Sequence, residues 1–295
     1  MGAPEAVIRP DGPGPLGELG RFLEVQTLGL NVPFALAFVL VAAGGLPRPL
    51  PFALVVVAFV AARNAGHAFN RWTDRALDAA NPRTASRALP AGRLSPAFAL
   101  VVTAGSAGIV LLAAALLNPL ALALAPVALA LVLGYSYIKR FSAWSTVFLG
   151  LVQAITPAAA FVALDGVLPL AVLLAVGGLL AWGTAFETVH SLGDLESDRA
   201  LGLRSLPTRV GAARSVRLLA GLHAVALALL GAFGWAEHLR LSYYLAVGAI
   251  AVGALWTDWQ LASDPTDVRP TFRRHYLFAG LYLAGVAVAV FLGWP

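Results

Sequence analysis

The sequence predicts an all-α, polytopic membrane protein, and three observations carry that prediction. Of its 295 residues, 59% are hydrophobic and only 12% charged, about half the charged fraction of a soluble globular domain. Apolar runs of about 20 residues, the length that crosses a hydrocarbon core, recur nine times along the chain. These runs must be helices, because backbone groups in lipid are satisfied only within a segment or in a closed barrel. Stretches such as 53–62 lack the alternation of a barrel strand. The composition excludes a water-soluble enzyme and a disordered chain. The absence of cysteine excludes disulfides, thiolate nucleophiles and thiolate metal sites.

Taken in order, residues 1–20 are rich in Pro and Gly without a basic n-region or an apolar core, and read as a short flexible tail, not a signal peptide. Residues 21–295 read as one domain with spans at 22–45, 50–72, 96–117, 119–138, 142–164, 167–192, 213–234, 238–257 and 275–293. Pro33, Pro126 and Pro157 fall inside the first, fourth and fifth spans, where they are expected to kink them. Asn118-Pro119 makes the turn between the third and fourth. Trp235, Trp256, Trp259 and Trp294 near span ends read as interface anchors, and Gly177-Gly178 as a close-packing position. Of the 20 Lys and Arg, 17 fall on the side of the N-terminal tail, with Arg48 and Arg240 opposite and Arg63 inside a span. That bias predicts a cytoplasmic N-terminus and a multi-pass protein of the cell inner (plasma) membrane, embedded in the lipid bilayer. The pI of about 10.1 is then a consequence of topology, and no nucleic-acid partner is expected.

Carboxylates grouped at membrane ends are not explained by topology. At the end of the second span Asn70, Asp74, Asp78 and Asn81 follow Arg63 and His67. With Asn70 as zero and ~100° per residue, all six fall within about 80° of one another if the helix continues that far. At the end of the sixth span Asp194 and Asp198 are one turn apart, Glu187 shares their face, and Glu196 points away. Asp74 and Asp78 precede Asp194 and Asp198 by a constant 120 residues, which reads as a functional pairing of two helix ends. Four aspartates together repel one another unless positive charge sits between them. Hard oxygen ligands suit Mg²⁺, which binds through one or two carboxylates plus substrate phosphate oxygens. Arg71, Arg75, Arg83, Arg87 and Arg93 accompany the first group and Arg199, Arg204 and Arg209 the second, and Arg forks grip phosphate. Acid, metal, phosphate and Arg together describe a diphosphate site at the rim of a membrane cavity.

A third feature, Tyr135-Ser-Tyr137-Ile-Lys139-Arg140, places the sole lysine beside two phenols at the end of the fourth span. Its cations and hydroxyls suit a departing diphosphate. Any single charge here is commonly a solvated helix end or a topology signal. His67 and His190 serve equally well as helix-to-helix hydrogen-bond partners, and His223, His238 and His275 read as structural. The two spaced acidic groups together are harder to dismiss, since ionisable groups in a membrane are functional by default. A cation-coupled transporter offers a different class of reading, but its carboxylates would lie near the bilayer midplane without adjoining phosphate-type cations.

These motifs resemble the UbiA-type intramembrane aromatic prenyltransferase superfamily. Asn70-Arg-Trp-Thr-Asp74-Arg-Ala-Leu-Asp78 is similar to its NxxxDxxxD element, Asp194-Leu-Glu-Ser-Asp198 to its second acidic element, and Tyr135 to Lys139 to its YxxxK element. The resemblance implies a nine-helix bundle around a central cavity with a lateral opening to lipid. It implies Mg²⁺ held by Asp74, Asp78, Asp194 and Asp198 with Asn70 beside them. It also implies a polyprenyl diphosphate donor, with Lys139, Tyr135, Arg87, Arg140, Arg199 and Arg204 assisting the diphosphate. Arg63, His67 and Glu187 are the candidates to orient an aromatic acid acceptor. Arg199 to Gly211 resembles the quinone-biosynthesis branch, menaquinone or ubiquinone. The sequence departs from the family pattern at His67, Glu187 and His190, all on the expected acceptor side. Haem O, chlorophyll and tocopherol-type prenyltransferases stay open as alternatives within the superfamily.

Overall fold

A computed structural model of the chain describes residues 14–81, 84–138 and 140–292. Among the described residues every regular element is helical: α1 (Pro15–Phe22), α2 (Leu28–Ala43), α3 (Pro49–Ala80), α4 (Pro96–Leu117), α5 (Pro119–Ile138), α6 (Ser145–Asp165), α7 (Val172–Gly193), α8 (Leu195–Ala200), α9 (Leu206–Val210), α10 (Ala212–Ala236), α11 (Leu241–Ser263) and α12 (Arg269–Phe291), with a 3-10 turn at Val25–Thr27. Eight of these helices are long and apolar enough to cross a membrane. The first expected span, 22–45, is shortened to the 16 residues of α2, because the chain before it turns aside at Glu24 (φ 50°). Residues 1–13 of the expected tail and Trp294 lie outside the described residues, while residues 15–20 are part of α1.

Proline starts many of these helices: Pro49, Pro96, Pro119, Pro207 and Pro270 occupy first-turn positions, where the missing N–H costs nothing and φ is already helical. Ser95 caps α4 by accepting from Phe98 N at 3.1 Å. The single-residue turn at Asn118 is held because its amide donates to Val162 O at 2.7 Å while Oδ1 accepts from Ala121 N at 2.8 Å. Pro33, Pro126 and Pro157 do sit within helices.

Consecutive helices pack side by side from α3 through α4, α5, α6 and α7, then α10, α11 and α12, and α2 lies between α12 and α6. The core on the α2 side is aromatic: Phe38 meets Phe233 edge-on at 5.7 Å, and Tyr243 donates to Leu230 O at 2.7 Å. The outer surfaces carry Leu112, Leu116, Val252 and Leu255, each more than 60% exposed, as expected where lipid replaces water. At 32 residues, α3 runs about 48 Å, well beyond a ~30 Å hydrocarbon core. Its last turns, with Asn70, Asp74 and Asp78, therefore extend beyond the length of helix that such a core would cover, while Asp74 and Asp78 stay buried against neighbouring segments.

The α6–α7 contact is the closest in the bundle to backbone on backbone. A Cβ on Gly150 would sit 2.7 Å from Leu180 O and 2.8 Å from Thr184 N, whereas one on Gly105 in α4 meets nothing within 4 Å. Gly150→Ala is expected to destabilise by about 1–3 kcal/mol through overpacking. Gly105→Ala is expected to be neutral or to stabilise by up to ~1 kcal/mol. Thermal unfolding of the two variants in detergent checks both.

Candidate active site

A cavity of about 860 Å³ opens within the bundle. Its floor and walls are apolar, from Phe34 of α2, Val55 and Phe59 of α3, Val132 of α5 and Trp182 and Phe186 of α7, and its mouth is polar. Arg63, His67, Asn70, Asp74, Asp78 and Asn81 all line it, so the helical face read from the sequence exists. It exists because α3 continues unbroken to Ala80; Asn81 is the first residue beyond. Glu187, Asp194 and Asp198 line the opposite wall, and Glu196 is exposed.

The second acidic group differs from its expected form. The helix does not continue through it: α7 ends at Gly193, Asp194 adopts φ −105° and ψ 6°, and α8 begins at Leu195. The bond from Asp198 N to Asp194 O, 2.8 Å, keeps the two carboxylates on one side across that break. The two acidic ends touch directly, since Asn81 Nδ2 donates to Ser197 Oγ at 3.4 Å. Ser145 Oγ donates to Arg204 O at 2.8 Å and Leu206 N to Thr146 Oγ1 at 3.1 Å, which pins the loop after α8 to the start of α6.

Arginines pair with the two aspartates of α3. Asp74, 2% exposed, accepts from Asn70 Nδ2 at 2.9 Å and pairs with Arg140 Nη2 at 3.3 Å. Arg87 Nη1 reaches Asp78 Oδ1 at 2.7 Å, and Arg71 Nη1 lies 4.0 Å from Asp78 Oδ2. Tyr135 donates to Glu187 Oε1 at 3.3 Å, and His190 Nδ1 lies 3.8 Å from Asp194 Oδ2. Arg204 lines the cavity, but Arg199 does not: it is exposed on a shallow outer surface with Arg209. The short helix α8 turns that side chain outward, so it is corrected from a cavity contact to a rim residue. Arg75 also faces outward, its guanidinium 5.1 Å from the Trp72 ring. Lys139 and Arg83 lie outside the described residues.

Among the described residues no three His, Cys, Asp or Glu converge into a preassembled metal site. The donor set nevertheless fits a hard cation shared with a substrate. Four carboxylates face one mouth, and Asp78 Oδ2 is buried with no hydrogen-bond partner among the described residues, a lone pair that bound charge would satisfy.

One lining residue has no counterpart in the sequence reading. Glu24 bonds Arg71 and stands 3.7 Å from His67 Nδ1. Burial acts to raise its pKa, but Arg71, His67 and Arg87 outweigh this and hold it below the ordinary value. Arg63, expected to face substrate, donates instead to Leu23 O at 2.8 Å, to Glu24 O at 2.7 Å and to Thr27 Oγ1. A lone glutamate near the start of the first expected span carries no local signal, since Arg71 is 47 residues away.

Residues 31–280 match the UbiA prenyltransferase family. The chain is 29% identical over 249 residues to a 4-hydroxybenzoate octaprenyltransferase of Nitrosococcus oceani, covering 84% of this chain and 87% of that protein. It is 33% identical over 256 residues to a digeranylgeranylglyceryl phosphate synthase of Natronomonas pharaonis, with the same coverage of 84% and 87%. The apo structure of a UbiA homolog from Aeropyrum pernix superposes with a TM-score of 0.81 at 29% identity, covering 90% of this chain and 98% of that one. A UbiA homolog from Archaeoglobus fulgidus bound to GPP and Mg²⁺ shares the fold, with a TM-score of 0.75 at 18% identity over 92% of this chain and 99% of that one. A polytopic helical bundle whose paired acidic helix ends open on one cavity thus belongs to the UbiA prenyltransferase family, and the chain is a membrane transferase of prenyl groups.

Proposed function

We propose that this enzyme transfers a polyprenyl group from a polyprenyl diphosphate to a small aromatic acid, of hydroxybenzoate or dihydroxynaphthoate type, to make a membrane quinone precursor. The observation that carries the reading is that Asp74, Asp78, Asp194 and Asp198 line the polar part of one cavity whose remaining walls are apolar. A diphosphate is suited to the polar part and an isoprenoid chain to the apolar walls. The 4-hydroxybenzoate octaprenyltransferase relative supports the choice of acceptor class.

The four aspartates, with Asn70 beside them, are the residues that would hold Mg²⁺, which when bound supplies positive charge to the diphosphate oxygens. Arg87 and Arg204 line the same mouth, and Arg140 reaches Asp74 from outside the lining. As the allylic C–O bond breaks and its electron pair leaves with the diphosphate, these fixed cations stabilise the growing negative charge. A carbon of the acceptor ring then bonds to the allyl carbon, and the ring proton passes to an oxygen of the released diphosphate as the ring regains aromaticity. The walls from Phe34, Val132 and Phe186 exclude water, which would otherwise capture the allyl cation. Tyr135 and Glu187, hydrogen-bonded to each other, form one side of the space in which the two substrates meet.

Three outcomes are expected. Asp74→Asn and Asp194→Asn each lower diphosphate release by about 100-fold or more, read with purified protein, Mg²⁺, geranyl diphosphate and 4-hydroxybenzoate; near-normal release would remove these residues from the site. In an acceptor screen, phenolic or naphthoic acids are prenylated, and turnover with a porphyrin alone would contradict the acceptor class. The third concerns orientation, with the acidic mouth in the cytoplasm of the inner membrane. The chain has no native cysteine, so Glu196→Cys should react with an impermeant maleimide only in inverted vesicles and Arg240→Cys only in right-side-out ones.

A further inference from the structure

We infer that Glu24 is an acceptor-binding residue, its carboxylate taking the hydrogen bond of a ring hydroxyl on the aromatic acceptor. This rests on the prenyl-transfer reading and deepens it by saying which end of the acceptor faces which wall.

Glu24 occupies the left-handed region, at φ 50° and ψ 45°, a conformation that side-chain-bearing residues disfavour. The surroundings over-determine it. Arg63 clamps the carbonyls of Leu23 and Glu24, and Thr27 donates to Glu24 O from its backbone N at 2.9 Å and from Oγ1 at 3.0 Å. A non-glycine residue held this way at a cavity wall is a reason to look for function. The turn brings the Glu24 side chain onto the polar face of α3. Oε1 accepts from Arg71, while Oε2 lies 3.7 Å from His67 Nδ1, too far for a hydrogen bond. The side chain is 26% exposed and lines the cavity. An ionised carboxylate oxygen with capacity to spare can only accept, so what it takes from a substrate is an N–H or O–H.

The chemistry of the acceptor makes this an O–H. Prenylation needs an electron-rich ring, and a phenol that donates to a carboxylate pushes electron density into its ortho and para carbons. A second carboxylate brought to this spot would be repelled by Glu24 and would find Arg63 and Arg71 already engaged. The acceptor's acid group therefore faces elsewhere. Glu24 bonds Arg71, which is three residues from Asp74 on α3, about 4.5 Å along the axis. A ring whose hydroxyl is held by Glu24 therefore turns the carbon ortho to that hydroxyl toward the reacting end of the donor.

The test uses the full-length protein in detergent, geranyl diphosphate as donor, 4-hydroxybenzoate as acceptor and 4-methoxybenzoate as its competitive inhibitor. Wild type is expected to favour the hydroxyl compound over the methyl ether by about 10- to 100-fold, the range of a hydrogen bond to a charged group. Glu24→Gln narrows that gap by about 10-fold, because the charge is lost but not the shape, and leaves the KM for donor unchanged. Glu24→Asp, which keeps the carboxylate, preserves the preference and gives the reading if the Gln variant does not fold. Equal weakening of both compounds, or a parallel rise in donor KM, makes Glu24 a latch for the N-terminal segment and overturns the inference. A preserved gap in Glu24→Gln overturns it as well. A wild-type enzyme that prenylates no hydroxylated ring contradicts the transfer reading itself, and this inference falls with it.

Discussion

The site depends on balancing four carboxylates at one end of an otherwise apolar bundle. Two of them, Asp74 and Asp78, are buried, and burial penalises the ionised form unless cations or donors compensate. Arg140, Arg87 and Arg71 supply that compensation from three different stretches of chain. The compensation is partial, since Asp78 Oδ2 keeps an unused lone pair among the described residues. A mouth built this way is structurally held yet still attractive to further positive charge and to the phosphate oxygens that would share it. The same guanidinium groups suit both tasks, because a fork that grips a carboxylate also grips a phosphate.

The bundle puts the balance where it is by two opposite devices. The first acidic group rides on a helix that is too long, so that α3 carries its aspartates past the apolar layer. The second sits where a helix stops, α7 ending at Gly193 and α8 restarting at Leu195. The contact from Asn81 to Ser197 ties the two ends, and the close approach of Gly150 to α7 lets α6 and α7 pack tightly enough to hold the second in register.

Much of this was legible in the sequence because it is local. Apolar runs and the spacing from Arg63 to Asp78 depend only on helical geometry, and α3 does continue as that spacing requires. The helix break at Asp194 was not legible, because four-residue spacing is compatible both with a continuous helix and with a single turn restarted after a break. Arg199 was misplaced for the same reason. Glu24 escaped because its meaning lies in partners on α3 that only tertiary packing brings near. Arg63 was correctly put on the cavity face, but its engagement with backbone carbonyls of the N-terminal segment is likewise tertiary.

The central claim is that the facing aspartates act together as one cation-dependent diphosphate site. Calorimetric binding of a non-cleavable prenyl thiodiphosphate to the solubilised protein, with and without Mg²⁺, tests it most directly. Binding is expected to require Mg²⁺, to be lost in EDTA, and to be lost equally when either Asp78 or Asp198, one from each helix end, is changed to Asn. Binding of the same strength without Mg²⁺, or loss from one helix end only, would contradict it.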